Sequence, residues 1–499
     1  MRKMIVMGIH TAYTKTDAPA IGGTQPKADI FITILNEKGE TQAEWRTVAV
    51  HGSTYRHTYT KKPRWLAHAG MCPPAIETVL IDLENLNAYA ELAVAYHPAL
   101  KNPHQTRPPV FREGYEKLRH YGGLFEYSPE EQGLIAKKLA MAAGNPIPRS
   151  ISISNDEKYL SIAVTGEIRI YRLDRLELID IITWDQIMKA LIRAGTPRKM
   201  LRLLRSFNGI MDPAKPDTIW VSGAYRGTIC VFKMEIPTRS ITTDVKHIYE
   251  IIWENGLEEE FEPIKLVDKD RIYEPEYIGN IAGASPNIWG DGALSLLIRI
   301  YTHEISVPGD PKEREKLGLT PDNTVSSEVI FVDLDEELNV KYHRRWIWIE
   351  DKEWRIMPVV GTALTRGDHM IIQGSFSSRK TNEKGRPEFF RGIVMLSRKY
   401  KTTAATKDEP IIDKLIEEKD IDTEKYHIAS KLLGGATASP DRGQLLLPVE
   451  IHPKRRYPSL QSKLYLAKTD WKVSKIEVVE EWLGTKKNRG PGVSWTAWI

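Results

Sequence analysis

The chain has 499 residues, 41% of them hydrophobic and 27% charged, a globular balance that excludes disorder and allows either several domains or one large repeat fold. Its 70 Lys and Arg against 66 Asp and Glu leave a net charge of +4, too weak to call for nucleic acid. Two cysteines, Cys72 and Cys230, exclude a disulfide framework, and Cys230 in the apolar run TICVFKM reads as a core residue.

The opening MRKMIVMGIHTAYTK has an apolar run shorter than a secretory core, and no stretch approaches the roughly 18 apolar residues of a membrane span. The expectation is a cytoplasmic chain, or part of a particle assembled inside the cell, with no signal peptide and no membrane insertion. Eight Gln and fourteen Asn stand beside abundant Lys, Arg and Glu, an amide-poor balance expected of a thermophile protein.

In chain order, MIVMGIHTA (Met4–Ala12) reads as a strand and Ala28–Val50 as a strand pair. The same strand–turn–strand shape recurs at Glu77–His97, Glu167–Trp184, Gly227–Trp253, Glu328–Ile349, Arg391–Ala405 and Ser462–Trp482. Glu167–Trp184 is the clearest: apolar residues alternate, a polar turn follows at Asp174-Arg175, and a second apolar run ends on Trp184. That alternation predicts a half-buried sheet face, with the tryptophan packing against a neighbouring unit. Trp45, Trp253 and Trp482 hold equivalent places, while Asp82 and Asp333, in LIDLE and FVDLD, read as structural residues of the turn. Upstream of most pairs lie further strands rich in Gly, Ala and Ser, among them RSISIS, YLSIAVTG, GNIAGAS and LLGGATAS. Small residues suit strands converging on a crowded axis, and four antiparallel strands per radially repeated unit make a propeller blade.

SISISNDEKYLSIAVTGEIRIYRL and ATASPDRGQLLLPVEI…SKLYLAKTD resemble blades of the WD40-like and lactonase-like β-propellers. The expected fold is all-β: one β-propeller domain over 1–499, of seven blades, with six or eight as alternatives. GVSWTAWI (Gly492–Ile499) follows the last complete pair, so the expected closure places the N- and C-terminal strands in one blade, which removes a free sheet edge.

Insertions interrupt the repeat. A loop plus helix is expected over 98–148, the helix opening on the capping box Ser128-Pro129-Glu130-Glu131, and a helical insertion over 185–206, restarting at Thr196-Pro197. A third helix is expected around Glu409–Asp420.

No nucleophile elbow, P-loop or Rossmann fingerprint stands in the right context, so no catalytic residue and no cofactor is expected. The first insertion interleaves Arg107, Arg112 and Arg119 with Phe111, Tyr115 and Tyr121, the composition of a protein interface and, as an alternative, of a single-strand nucleic-acid surface. His51, His57 and His68 are the candidate metal ligands, should neighbouring strands bring them together at an axial mouth. The leading expectation is a non-enzymatic protein-interaction or structural scaffold whose partners are other protein subunits, in a larger assembly or virus particle from a thermophile. The alternatives are an enzyme with an axial-funnel site, either a lactonase-like hydrolase or a metal-dependent oxidase, and a nucleic-acid-binding propeller.

Overall fold

The structure is a computed structural model. It describes the backbone over 5–11, 29–47, 51–52, 64–94, 112–113 and 148–247 with small gaps, and then a series of strands between 266 and 498. Side chains are described mainly over 64–91 and 150–247, with shorter stretches at 34–43 and 334–340. The helix expected from Ser128 and the end of the fourth strand pair at Trp253 lie outside the described residues.

The chain is all-β, built of antiparallel sheets taken in chain order. Among the described residues there are four sheets of four strands, three of five and one two-stranded ribbon. The strand pairs read at Ala28–Val50, Glu77–His97, Glu167–Trp184, Glu328–Ile349 and Ser462–Trp482 each lie as neighbouring strands in one of the larger sheets. In the third sheet, Pro148–Ile153, Tyr159–Val164, Glu167–Arg172 and Glu177–Thr183 follow one another as a simple meander. In the first, Ile5–Thr11 pairs on one side with Asp29–Leu35 and on the other with Pro491–Trp498, joining the two ends of the sequence in one sheet.

The tight turns share a backbone device. Leu86 and Leu176 close the turns of the second and third sheets at φ 53° and 51°, and Leu338 does so in the fifth at φ 65°. A left-handed leucine is costly for an L-residue, on the order of 1 kcal/mol. Packing offsets that cost, since Leu338 is buried and Leu176 lies against the apolar cluster between the second and third sheets. Asp82 serves the turn of the second sheet as its place in LIDLE predicts. Its Oδ1 accepts from the amides of Glu84 and Asn85, and its Oδ2 accepts from Arg64 at 3.0 Å.

Two apolar layers flank the third sheet. On one side Ile151, Ile153, Leu160, Ile162 and Val164 meet Trp65, Ala67, Ala69 and Leu80 of the second sheet. On the other, Ala163, Ile168, Ile170 and Ile182 meet Phe207, Met211, Ile219 and Val221 of the fourth. Each such side chain, fully withdrawn from water, contributes about 1.5–3 kcal/mol.

Three expectations are corrected here. Glu167–Arg172 does not present a solvated polar face: Glu167, Arg169 and Tyr171 are buried along with Ile168 and Ile170, because a second sheet covers the side that alternation assigns to water. Trp184 does not end a strand. It is the first residue of the helix Trp184–Arg193, started by a capping box in which Gln186 N–H donates to Thr183 Oγ1 and Thr183 N–H to Gln186 Oε1. It packs nonetheless on the fourth sheet, edge-on to Phe207 at 6.3 Å between ring centroids. The helix expected around Glu409–Asp420 is the strand Ile411–Glu417, which pairs with Pro387–Ser397 and so replaces the segment up to Ala405 as second member of that pair. Seven residues carrying three isoleucines gain more by completing a sheet edge than from one or two turns of isolated helix.

The third sheet is followed by the helix Trp184–Arg193 and then the short helix Arg198–Leu201. Ile187, Ala190 and Leu191 are the buried side of the first helix, and Gly195 at φ 87° ends it. Among the described residues no helix is long and apolar enough to cross a membrane.

Candidate functional site

Alternation along Glu167–Arg172 puts Ile168 and Ile170 toward the fourth sheet and Glu167, Arg169 and Tyr171 toward the second. Facing them, on the strand Asn87–Val94, is Glu91, with Thr78 opposite it in register on Ala75–Asp82. The result is a polar centre sealed between two sheets. Arg169 Nη1 donates to Glu91 Oε1 at 2.8 Å, Arg169 Nε to Glu167 Oε1 at 2.5 Å, and the Tyr171 hydroxyl to Glu91 Oε1 at 3.2 Å. Arg169 and Glu167 side chains are 0% exposed and Glu91 is 1% exposed.

Electrostatics follow from burial and from the count of charges, two carboxylates on one guanidinium. Burial pushes the Glu91 carboxyl up to about 7, against the opposing pull of Arg169 and the Tyr171 hydroxyl and with added push from Glu167. Burial works to lower the Arg169 pKa, but Glu167, Tyr171 and Glu91 outweigh it and the guanidinium is held more firmly protonated than usual. The Tyr171 phenol is pushed well above its ordinary range by burial and by Glu91. Chemically, the centre fastens one sheet to the next.

A second buried charge lies within the fourth sheet. Asp212 Oδ2 accepts from Trp220 Nε1 at 2.8 Å and from Lys233 Nζ at 3.2 Å, and the Lys233 ammonium lies 5.1 Å from the Trp220 ring centroid. Nearby, Cys230 is buried as expected, its thiol pushed up to about 12 by burial and therefore unreactive.

Sequence reasoning missed both centres. Arg169 between two isoleucines and Lys233 inside ICVFKM were the available signals, because a charge on an apolar strand needs a partner wherever both sheet faces are covered.

The residues singled out from the sequence are placed as follows. His68 lies in Trp65–Cys72, fully buried, and burial pushes its imidazole down to about 3, so it is neutral at physiological pH. His51 pairs with Met71, three positions along that same strand from His68, and His57 is outside the described residues. Among the described residues no three His, Cys, Asp or Glu side chains gather as a metal site. Arg112 forms, with Glu113, a short fifth strand on the second sheet, paired with Ala90 and Tyr89. Arg107, Phe111, Tyr115, Arg119 and Tyr121 lie outside the described residues.

No family model matches the chain, and no curated protein matches it in sequence. The solved structures that match it share 9–10% of its sequence. The Dos1 propeller is 9% identical at a TM-score of 0.36, covering 91% of each chain. A putative TolB from Agrobacterium tumefaciens is 10% identical at 0.31, covering 71% of this chain and 91% of that one. The WD40 domain of SCAP from fission yeast is 9% identical at 0.26, covering 82% and 85%.

Proposed function

We propose that this chain is a non-enzymatic protein-interaction scaffold: a seven-bladed ring closed through the sheet that the first and last strands share, presenting its insertions to other protein subunits. The observation that carries the reading is the fifth strand of the second sheet. Through Tyr89↔Glu113 and Ala90↔Arg112 the insertion over 98–148 is tied by its own backbone to a sheet edge. That sheet is in turn fastened to its neighbour by the buried Glu91–Arg169 pair. An Arg- and aromatic-bearing segment held on a stiff support is what a specific interface requires, because little ordering entropy remains to be lost on docking. Membership of a larger particle, and an intracellular or thermophile setting, extend this reading on composition alone.

The test compares the native chain with the triple variant Arg107→Ala, Phe111→Ala, Tyr115→Ala, by cross-linking and mass spectrometry in cells expressing either. The expected result is a stoichiometric protein partner cross-linked through 98–148, whose affinity falls at least tenfold in the variant. A native chain that runs as a partner-free monomer, or a partner indifferent to the three substitutions, would overturn the reading.

A further inference from the structure

The helical segment that follows the third sheet carries a charge that the fold does not use. Over 184–205 six cations, Lys189, Arg193, Arg198, Lys199, Arg202 and Arg205, stand against one acid, Asp185. The whole chain carries only +4, so this segment holds all of its excess positive charge. The side chains of Lys189, Arg193 and Arg198 are described, and all three are exposed. Lys189 and Arg193 lie four positions apart on the helix Trp184–Arg193, a spacing at which like charges repel. Arg193 suits the last turn of that helix and Asp185 its first, but Arg198 opens the short helix Arg198–Leu201, the end at which a cation is disfavoured. Among the described residues no carboxylate pairs with any of the three, and Arg193 gives one N–H to the Arg239 carbonyl at 3.2 Å.

Beside these cations lie the two large apolar side chains that the described residues leave in water, Ile192 at 44% and Ile179 at 45% exposed. One turn joins them. Arg239 Nη2 donates to Asp180 Oδ1 at 2.5 Å, while the Arg239 carbonyl accepts from Arg193. Ile179 is the neighbour of Asp180 and Ile192 the neighbour of Arg193, so the two isoleucines flank the Arg239 turn. Half-buried Met188 and Ile241 pack on the apolar cluster between the third and fourth sheets at the same place. From this juxtaposition we propose that the last strand of the third sheet, the helix Trp184–Arg193 and the Arg239 turn form a docking surface for an acidic protein segment bearing an apolar side chain. Its carboxylates meet Lys189, Arg193 and Arg198, and its apolar residue covers Ile192 and Ile179.

Charge complementarity selects the partner. Asp180 is already taken up by Arg239, and the exposed acids of the flanking elements, Glu177 and Asp244, are single charges beside a segment of six cations. A lipid surface fits poorly, because the apolar side of the helix, Ile187, Ala190 and Leu191, is buried against the sheets and is not free to enter a bilayer. A nucleic acid would use the cations but would gain nothing from two exposed isoleucines. The one aromatic residue of the segment, Trp184, packs edge-on to Phe207 and so offers no open ring for a base. This surface is separate from the strand Arg112–Glu113 on the second sheet, and it rests on the scaffold reading only in taking the chain as a docking platform.

The test selects peptides from a display library of random sequences on the full-length native chain. It repeats the selection on Lys189→Glu with Arg198→Glu and on Ile192→Ser, each first compared with the native chain by thermal melting. The native chain should enrich peptides in which Asp and Glu surround Leu, Ile or Phe. A synthetic peptide of the enriched sequence should lose on the order of tenfold in affinity for the double variant and about threefold or more for Ile192→Ser, and should bind more weakly as salt is added. If the double variant melts early, Ile192→Ser and the salt dependence decide the matter. Selected peptides without acidic residues, or a peptide that binds all three proteins equally, would overturn the proposal. So would a single-stranded oligonucleotide or a phosphatidylserine vesicle that binds the native chain more tightly than the peptide and is released by the double variant. The Arg107→Ala, Phe111→Ala, Tyr115→Ala variant should hold the peptide as the native chain does. Peptide binding by a chain that takes no partner through 98–148 would sink the scaffold reading at that segment and support this surface; the opposite pair of results would overturn this surface alone.

Discussion

The two faces of the third sheet are joined to their neighbours by opposite means. Toward the second sheet the junction is ionic, with Glu91, Glu167, Arg169 and Tyr171 buried in one centre. Toward the fourth, an Arg239–Asp180 pair stands at the last strand, but where the inner strands meet the junction is small and neutral. Ser150 Oγ donates to the Gly209 carbonyl at 3.1 Å and accepts from the Gly209 amide at 2.9 Å, Ser161 Oγ donates to the same carbonyl, and Ser152 Oγ accepts from the Met211 amide at 3.2 Å. The difference teaches how two sheets are held at a fixed separation. Where the facing strands are outer strands there is room for an arginine and two carboxylates. Where inner strands meet, only serine reaches the neighbouring backbone without driving the sheets apart, and Gly209 leaves space for it. The ionic seam also holds Glu91, whose carboxyl burial pushes up to about 7.

Removing one charge from the ionic seam should produce the largest effect. Arg169→Met leaves two buried carboxylates without their cation and should cost about 3–5 kcal/mol in urea unfolding. Replacing Glu91, Glu167 and Arg169 together by leucine or methionine should recover most of that loss, because a packed apolar seam of similar volume has no desolvation to offset. If the triple variant is no better than Arg169→Met, the ionic seam is not an independent unit.

Next comes the other face of the second sheet. His68 is neutral in the fold and remains so down to about pH 3, against 6.5 for a free imidazole, so its contribution is present above 6.5 and lost as pH falls toward 3. His68→Leu should therefore flatten the acid limb of the stability profile, a relative gain of about 3 kcal/mol at pH 4 that shrinks toward zero as pH rises to about 6.5. Urea unfolding of the native chain and of His68→Leu between pH 4 and pH 7 checks it.

The small-residue seam should fail by crowding. A Cβ at Gly209 would come 2.8 Å from Ile219 Cδ1 and 3.0 Å from two carbons of Ile168, and one at Gly223 would come 2.6 Å from the Phe207 ring. The aromatic ring cannot bend away as an isoleucine terminus can, so Gly223→Ala should cost about 2–3 kcal/mol and Gly209→Ala about 1–2, read as shifts in melting temperature. The smallest effect is expected from Ser150→Ala. It removes one donor and one acceptor from the Gly209 peptide, a loss of about 1–2 kcal/mol, independent of pH. An Ser150→Ala profile that changes with pH would show that the two seams are coupled.

Much of the architecture was legible in the chain. Strand pairs such as Glu77–His97 and Glu167–Trp184 show in alternating apolar residues bounded by polar turns, and the shared sheet of Ile5–Thr11 and Pro491–Trp498 follows from a lone strand at each end. IIDKLIE was not legible, because its apolar spacing fits a helix as well as a strand and only the open edge of Pro387–Ser397 decides between them. Of the residues chosen as sites, Arg112 and His51 are placed by backbone register and His68 by complete burial.

The sequence by itself determined the meander, because period-two alternation and turn residues act within a few positions of one another. EIRIYR therefore reads as a strand anywhere. Only the tertiary structure decided what its polar side does. Alternation assigns Glu167, Arg169 and Tyr171 to one face, but whether that face meets water or another sheet depends on Glu91, 78 positions from Arg169 along the chain. Burial by that second sheet turns three ordinary strand residues into a sealed charge centre, and one glutamate into a group poised to release its proton near neutrality.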